Sequence, residues 1–257
     1  MITLTSDFGL KDPYVAEMKG VILTINPNAN LIDITHEVEK FNLRMAAFML
    51  ASAAPYFPKG TIHLAVVDPG VGTQRRPILI QTRQGFFVGP DNGILILAAQ
   101  SQGIEHICKL TNPTFMLPKI SSTFHGRDIF APAAAYLDKG VQPAKFGPEI
   151  NDPIKPEFAK VVRRNGSLIG EVLHVDDFGN IITNITEKEL PKVKAVNVEL
   201  PSASLKLSLS KTYAEAKPKE TLALIGSHGF VEVAINQVNA AKKFHAKAGD
   251  KIQVMPV

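Results

Sequence analysis

Apolar runs and helical spacings alternate along the first half of the chain. Ile2 to Thr5 predicts a short strand. Asp12-Pro13 reads as an N-cap followed by proline at the first helical position. Val15, Met18, Ile22 and Ile25 then recur at helical spacing, and Asn26-Pro27 stops the helix. LIDIT (31–35) predicts a strand, and NLRMAAFMLASAA (42–54) a second helix apolar enough to be mostly buried. TIHLAVVD (61–68) is nearly continuously apolar, as a strand inside a parallel sheet is. ILIQT (78–82) and GFFVG (85–89) predict further strands, and RDIFAPAAAYLD (127–138) a helix despite Pro132. Together these elements predict an α/β N-terminal domain over 1–150, with a central, mostly parallel sheet flanked by helices on both faces.

The rhythm changes near residue 146. GPEINDPIKPEFAK (147–160) holds three prolines and no clear period, which predicts a linker over 151–162. Short strand patterns follow: SLIGEVLHV, NIITNI, AVNVEL, LKLSLS, TLALIG, FVEVAIN and KIQVMPV. LKLSLS (205–210) has a two-residue period that turns Lys206 and Ser208 outward. Residues 163–257 are thus expected to form a smaller, mainly antiparallel β domain.

Composition narrows the function. Hydrophobic residues make up 45% of the 257 and charged residues 20%, an ordinary globular balance. The net charge of +4 is spread along the chain without basic blocks, so nucleic acid is not an expected partner. Cys108 is the single cysteine, which excludes a disulfide framework and fits a reducing compartment. The N-terminus lacks a signal-peptide pattern, and the apolar run MAAFMLASAAPYF is too short to span a bilayer. A cytoplasmic protein without membrane partners is the expectation.

Two strands of the predicted sheet run into an acid: ITLTSD at Asp7 and TIHLAVVD at Asp68. Open α/β sheets bind ligands beyond the carboxyl ends of their strands. A lone aspartate there more often caps its own turn; a pair argues for a site. Asp7 could accept hydrogen bonds from both hydroxyls of a ribose. Asp68 opens DPGVGTQRR, a turn long enough to bring Arg75 back onto the carboxylate and fix its direction. A surface salt bridge is the competing reading, and Arg76 is taken as a solvated charge. His125, in SSTFHGRDIF, suits proton transfer and equally suits a helix N-terminal turn. His63, inside an apolar strand, reads as a core residue. VDDFGNIITN (175–184) and LIGSHGFVEVAINQ (224–237) carry polar groups beyond what a hairpin needs, Asn184 and Ser227-His228 among them. No GxGxxG follows the first strand and no GxxxxGK[ST] occurs. PGVGTQRR is a weak phosphate loop at best, because Asp68 would repel a phosphate.

TSDFG with KDPYVAEMKG, VVDPGVGTQRR, GPDNG (89–93), FHGRDIFAP and DDFGNIITNI, taken together, resemble the S-adenosyl-L-methionine (SAM) hydroxide adenosyltransferases, relatives of the SAM-dependent fluorinase and chlorinase. The resemblance spans nearly the whole chain in order. It implies hydrolysis of SAM to adenosine and L-methionine by substitution at the ribose 5′ carbon, with SAM as substrate and no cofactor or metal. It also implies a homotrimer whose sites lie between the N-terminal domain of one subunit and the C-terminal domain of the next. Position by position, Asp7 matches the acid on the ribose diol, and Asp68, Arg75 and His125 the set that positions and activates water. Asp176 and Asn180 match groups at the methionine end and the adenine edge, and Ser227 a serine on the methionine carboxylate. Phe41 falls where the halogenating relatives have an aromatic near adenosine, and Ile235 to Gln237, with Asn236 at their centre, where backbone groups meet the base. His228 stands where those relatives have an arginine beside the serine, and Ile182 where they have an aromatic packed on the ligand. The competing readings are a SAM-dependent halogenase, a SAM or adenosine sensor without turnover, and a phosphate-handling hydrolase.

Overall fold

A computed structural model describes residues 1–257. They divide into two compact units, Met1–Lys155 and Pro156–Val257. The first runs β1 (Ile2–Ser6), α1 (Tyr14–Ile25), β2 (Leu31–Thr35), α2 (Leu43–Ala53), β3 (Ile62–Val66), β4 (Pro77–Thr82), β5 (Phe86–Pro90), α3 (Ile96–Gln102), β6 (Ile104–Lys109) and α4 (Ala131–Asp138). Its six strands lie in the order β2-β1-β3-β5-β4-β6. β1 is parallel to β2 and β3, and β3 to β5. β4 is antiparallel to both β5 and β6. The sheet is therefore mixed rather than mostly parallel. The cause is local: only residues 83–85 join β4 to β5, too few for a crossover, so the chain must reverse.

The parallel half is built as its apolar pattern dictates. Ile2 and Leu4 of β1 and Ile62, Leu64 and Val66 of β3 share one face with Met18 and Ile22 of α1 and the alanines of α4. Alanine lets helix and sheet approach closely, and the packing rather than propensity stabilises the helices. Asn42 caps α2, its side chain accepting the Met45 N–H at 2.9 Å. Asp12 does not cap α1, which begins after Pro13 with no side-chain cap. Pro132 is tolerated although helical turns precede it, because the Asp128 carbonyl four residues back accepts the Leu117 N–H at 2.9 Å and so does not need the N–H that proline lacks. The stretch ahead of it, Gly126–Phe130, is wound as a π-turn instead of α-helix. His63 is a core residue: its Nδ1 meets Thr3 Oγ1 at 2.8 Å, its ring stacks on Phe87, and burial pushes its pKa down to about 4.

The second unit contains β7 (Val162–Arg164), β8 (Ser167–Val175), β9 (Ile181–Thr186), β10 (Ala195–Leu200), β11 (Ala203–Ser210), β12 (Thr221–Ile225), β13 (Phe230–Ile235), α5 (Ala240–Phe244) and β14 (Lys251–Pro256). The strand order is β14-β10-β11-β12-β13-β9-β8-β7, and β14 pairs with β8 as well, which closes the sheet into a barrel. Every neighbour is antiparallel except β11 with β12. Closure pairs β14 with β8 and so removes the long exposed edges that an open sheet this size would present, while the three-residue β7 remains as an exposed edge. No helix in the chain is long and apolar enough to cross a membrane.

Two polar residues read differently once packed. Arg76 is not a solvated charge. It binds Asp91, which is 2% exposed, and also both the carboxylate and the carbonyl of Asp152. Asp91 in turn accepts the Ile154 N–H at 2.9 Å. Asn184 is buried: its amide donates to the carbonyls of Phe158 and Lys160 and its oxygen accepts the Glu171 N–H. It pins the stretch leading into β7, with its amide nitrogen and oxygen both engaged by backbone groups. Removing Arg76 leaves a buried carboxylate without its cation, so Arg76→Ala should lower stability by about 3 kcal/mol. Urea unfolding should show a lower midpoint at unchanged slope.

Candidate active site

Because β1 and β3 are adjacent and parallel with Ser6 opposite Val66, Asp7 and Asp68 emerge at the same edge of the sheet. Both line a cavity of about 250 Å³, together with Asp12, Lys40, Phe41 and His125. Phe8, Tyr14 and Phe124 also line it, and they touch edge to face in all three pairings with ring centres 5.3–5.8 Å apart.

Asp7 does not cap its own turn. The Ser6 hydroxyl accepts the Phe8 N–H instead, while Asp7 Oδ2 accepts the Phe41 N–H at 2.9 Å from far along the chain. The Lys40 ammonium binds the Asp7 carbonyl. These bonds hold Phe41 at φ +64°, a left-handed conformation costly for an aromatic residue, and the residue is 66% exposed at the cavity.

Asp68, Arg75 and His125 form one connected chain. Arg75 Nε donates to Asp68 Oδ1 at 3.0 Å and Arg75 Nη2 to Asp68 Oδ2. Nη2 also reaches His125 Nδ1 at 3.0 Å. The Arg75 and Asp68 side chains are 7% and 6% exposed, so this is a buried bidentate pair, not a surface salt bridge. The guanidinium lies over the Phe130 ring at 5.2 Å, and its Nη1 is buried without a hydrogen-bond partner. Gly72 lets the two loops meet: its φ is +76°, and a Cβ there would collide with the Ser122 carbonyl. Asp128, fully buried, accepts the Ser121 N–H at 2.7 Å and the Arg127 guanidinium, which braces the loop that carries His125.

A guanidinium cannot accept a hydrogen bond, so His125 Nδ1 must be the acceptor and its proton must sit on Nε2. Burial first, and the Arg75 charge second, hold the imidazole below its ordinary range. His125 is thus a neutral donor through Nε2 at neutral pH.

The barrel unit has its own cavity, about 600 Å³, lined by Asp176, Phe178, Asn180, Tyr213, Ser227, Asn236 and their neighbours. Asp176 Oδ1 and Oδ2 accept the backbone and side-chain N–H groups of Asn180 at 2.8 and 2.9 Å. His228 is exposed on the same hairpin as Ser227 but outside the lining, and Ile182 is buried in β9 away from it. Asn236 spends its backbone N–H and carbonyl on Glu220 and Lys219 and its amide N–H on the Ala216 carbonyl.

Sequence reading missed Asp12, taken as a cap, and the Phe8–Tyr14–Phe124 wall, whose members are far apart in the chain. It also missed Ser6, His36 and Asp33. Ser6 Oγ meets His36 Nδ1 at 2.7 Å and His36 Nε2 meets Asp33 at 3.1 Å, the order of a nucleophilic triad. Ser6 is 1% exposed, however, lines neither cavity and already accepts the Phe8 N–H, so this chain locks the Asp7 turn. No group of three or more His, Cys, Asp or Glu side chains converges as metal ligands would.

An acidic, aromatic-walled cavity with a buried Asp–Arg–His chain belongs to an enzyme of the α/β class that works on a small organic molecule, with no phosphate cradle. The comparisons narrow the class. The model of the SAM hydroxide adenosyltransferase N-terminal domain matches residues 2–147, and that of the C-terminal domain residues 170–253. The chain is 37% identical to an (R)-S-adenosyl-L-methionine hydrolase of Methanocaldococcus jannaschii, covering 99% of this chain and 95% of that one. It is 38% identical to a protein of the same name from Salinispora arenicola, over 98% and 97% of the two chains. A fluorinase of Nocardia brasiliensis is 25% identical over 99% and 96%. A crystal structure of an uncharacterized conserved protein from Thermotoga maritima superposes with a TM-score of 0.86 at 40% identity, over 99% of this chain and 100% of that one. The chain belongs to the SAM hydroxide adenosyltransferase family.

Arg75 lowers the His125 pKa through its charge, whereas Asp68 raises it. In Arg75→Gln burial and the Asp68 charge remain while the lowering charge of Arg75 is gone, so the imidazole pKa should move upward. Titration of the His125 ring by NMR checks this; an unchanged or lower value contradicts the geometry.

Proposed function

We propose that this protein hydrolyses SAM to adenosine and L-methionine by in-line attack of water on the ribose 5′ carbon. The observation that carries the proposal is the buried Asp68–Arg75–His125 chain in the cavity that Asp7 shares. The sulfonium leaves as a neutral thioether and needs no acid. What remains is to hold one water behind the carbon–sulfur bond, and orientation alone supplies roughly 7–11 kcal/mol in favourable cases. Asp68 orients that water with the lone pairs Arg75 leaves free and takes its proton as the carbon–oxygen bond forms. His125 directs its Nε2–H at the water oxygen. Arg75 keeps both in place. Asp7 accepts the ribose hydroxyls and Phe41 covers the nucleoside.

In the barrel unit, Asp176 and Ser227 take the amino-acid end of the substrate from the cavity wall, His228 reaches its carboxylate from the exposed turn beside Ser227, outside that wall, and Asn180 and Asn236 take the base. Asn236 does this through its side-chain oxygen, since its other polar groups are engaged. The reading needs no cofactor and carries a homotrimer as the working assembly, which sedimentation equilibrium tests. A halogenase would need a dry pocket of donors for a halide and no base; the Asp68 carboxylate opposes that.

Chromatography of protein incubated with SAM should show adenosine and methionine in equal amounts. Asp68→Ala should lower kcat by roughly 10²–10⁴-fold with the SAM Kd little changed. Asp7→Ala should weaken SAM binding by roughly 10–100-fold. Wild-type turnover in Asp68→Ala would sink the water-activation role, and 5′-chloroadenosine outrunning adenosine in chloride would favour the halogenase. His125 is held neutral below its ordinary range, so activity should persist as pH falls through about 6.5 and drop only further into acid. The pH profile of kcat measures this directly.

A further inference from the structure

Glu232 is a buried acid that the mechanism above does not use. It lies on β13 between Val231 and Val233, whose side chains join the barrel core. Strand alternation places Phe230, Glu232, Ala234 and Asn236 on the opposite face. That face is covered by the connection between β11 and β12, which carries the short 3₁₀ turn Tyr213–Glu215. Ala216 of the connection packs with Leu222, Leu224 and Ala234.

Glu232 of β13 and Asn236 just beyond its end fasten this cover. Asn236 donates to the Ala216 carbonyl at 2.8 Å, and its backbone bonds Lys219 and Glu220. Glu232 Oε1 accepts the Tyr213 hydroxyl at 2.5 Å. Glu232 itself is 5% exposed and does not line the cavity, whereas Tyr213 does. Its other oxygen is fitted against Gly226, where an added Cβ would stand 2.6 Å from Oε2. Gly226 directly precedes Ser227, so the same carboxylate abuts two separate parts of the cavity wall.

An isolated buried carboxylate is costly. Burial is the larger reason that Glu232 is shifted upward, with the nearby Asp176 charge adding to it. The Tyr213 hydroxyl offsets part of that cost, and in return the ring loses its freedom to swing out into solvent. Without this bond Tyr213, a residue 41% exposed, would keep only its packing contacts.

We infer that Glu232 is a positioning residue for SAM binding, holding Tyr213 as a fixed wall of the barrel cavity without touching the substrate. The inference rests on the hydrolase reading for its ligand. The test is a mutant cycle with SAM as probe: Glu232→Ala, Tyr213→Phe, the double variant and Glu232→Gln. Each of the first two should raise KM about tenfold, equivalent to ~1.4 kcal/mol, with kcat within about twofold of wild type. The double variant should be no worse than either single one, because both remove the same bond. Glu232→Gln keeps an acceptor for the hydroxyl and should restore wild-type KM. Additive losses, a Gln variant as impaired as Ala, or a fall in kcat at constant KM would overturn the inference. If wild type turns over SAM and the cycle is additive, this inference fails and the hydrolase reading stands. If wild type releases neither product, that reading fails, and calorimetric Kd values for SAM across the same cycle decide this one; absence of SAM binding overturns it as well.

Discussion

A guanidinium that is 7% exposed must be neutralised where it sits, and the N-terminal site is organised around that requirement. Arg75 uses Nε and Nη2 on the two Asp68 oxygens, which removes the carboxylate's freedom to rotate. The second proton of Nη2 goes to His125, which fixes the imidazole tautomer. Phe130 closes one face of the cation. A single charge thus sets the direction of an acid, the tautomer of a histidine and the separation of two loops. Gly72 supplies the close approach this arrangement needs.

The parallel register of β1 and β3 supplies the other half of the geometry. Adjacent parallel strands deliver their final residues to one edge, so Asp7 and Asp68 share a cavity although about sixty residues of chain lie between them. The charge pattern suits a cationic substrate. Three acids line that cavity, and Lys40, its one lysine, is turned onto a backbone carbonyl. The barrel unit repeats the theme with Asp176 at its cavity and Glu232 behind it. Acid placed near a sulfonium or ammonium stabilises it; the same acid would repel a phosphate.

Where sequence reading succeeded, the information was local. Apolar periodicity located β1, α1, β2, α2 and β3 to within a residue or two, because burial on one face dictates the spacing. The DPGVGTQRR turn was short enough for Arg75 to reach back to Asp68. The failures were of another kind. The three-residue β4–β5 connection was itself a hairpin signal, but the preceding parallel strands obscured it. Arg76 and Asn184 looked like a surface charge and a possible ligand group, since nothing beside them names Asp91, Asp152 or the Phe158 carbonyl as their partners. Asp12 looked like a cap because Asp-Pro is a common helix start.

By itself the sequence determined the strand–helix alternation, the acids at two strand ends and, through its ordered motifs, the family. Each of these depends on residues a few positions apart. Only the tertiary structure decided that the sheet is mixed, that the β unit closes into a barrel, and that His125 is a neutral Nε2–H donor. It alone revealed that Glu232 stands behind Tyr213. These outcomes turn on which distant groups share one buried space. There each polar atom must find a partner or remain costly, and no local pattern states which partner it finds.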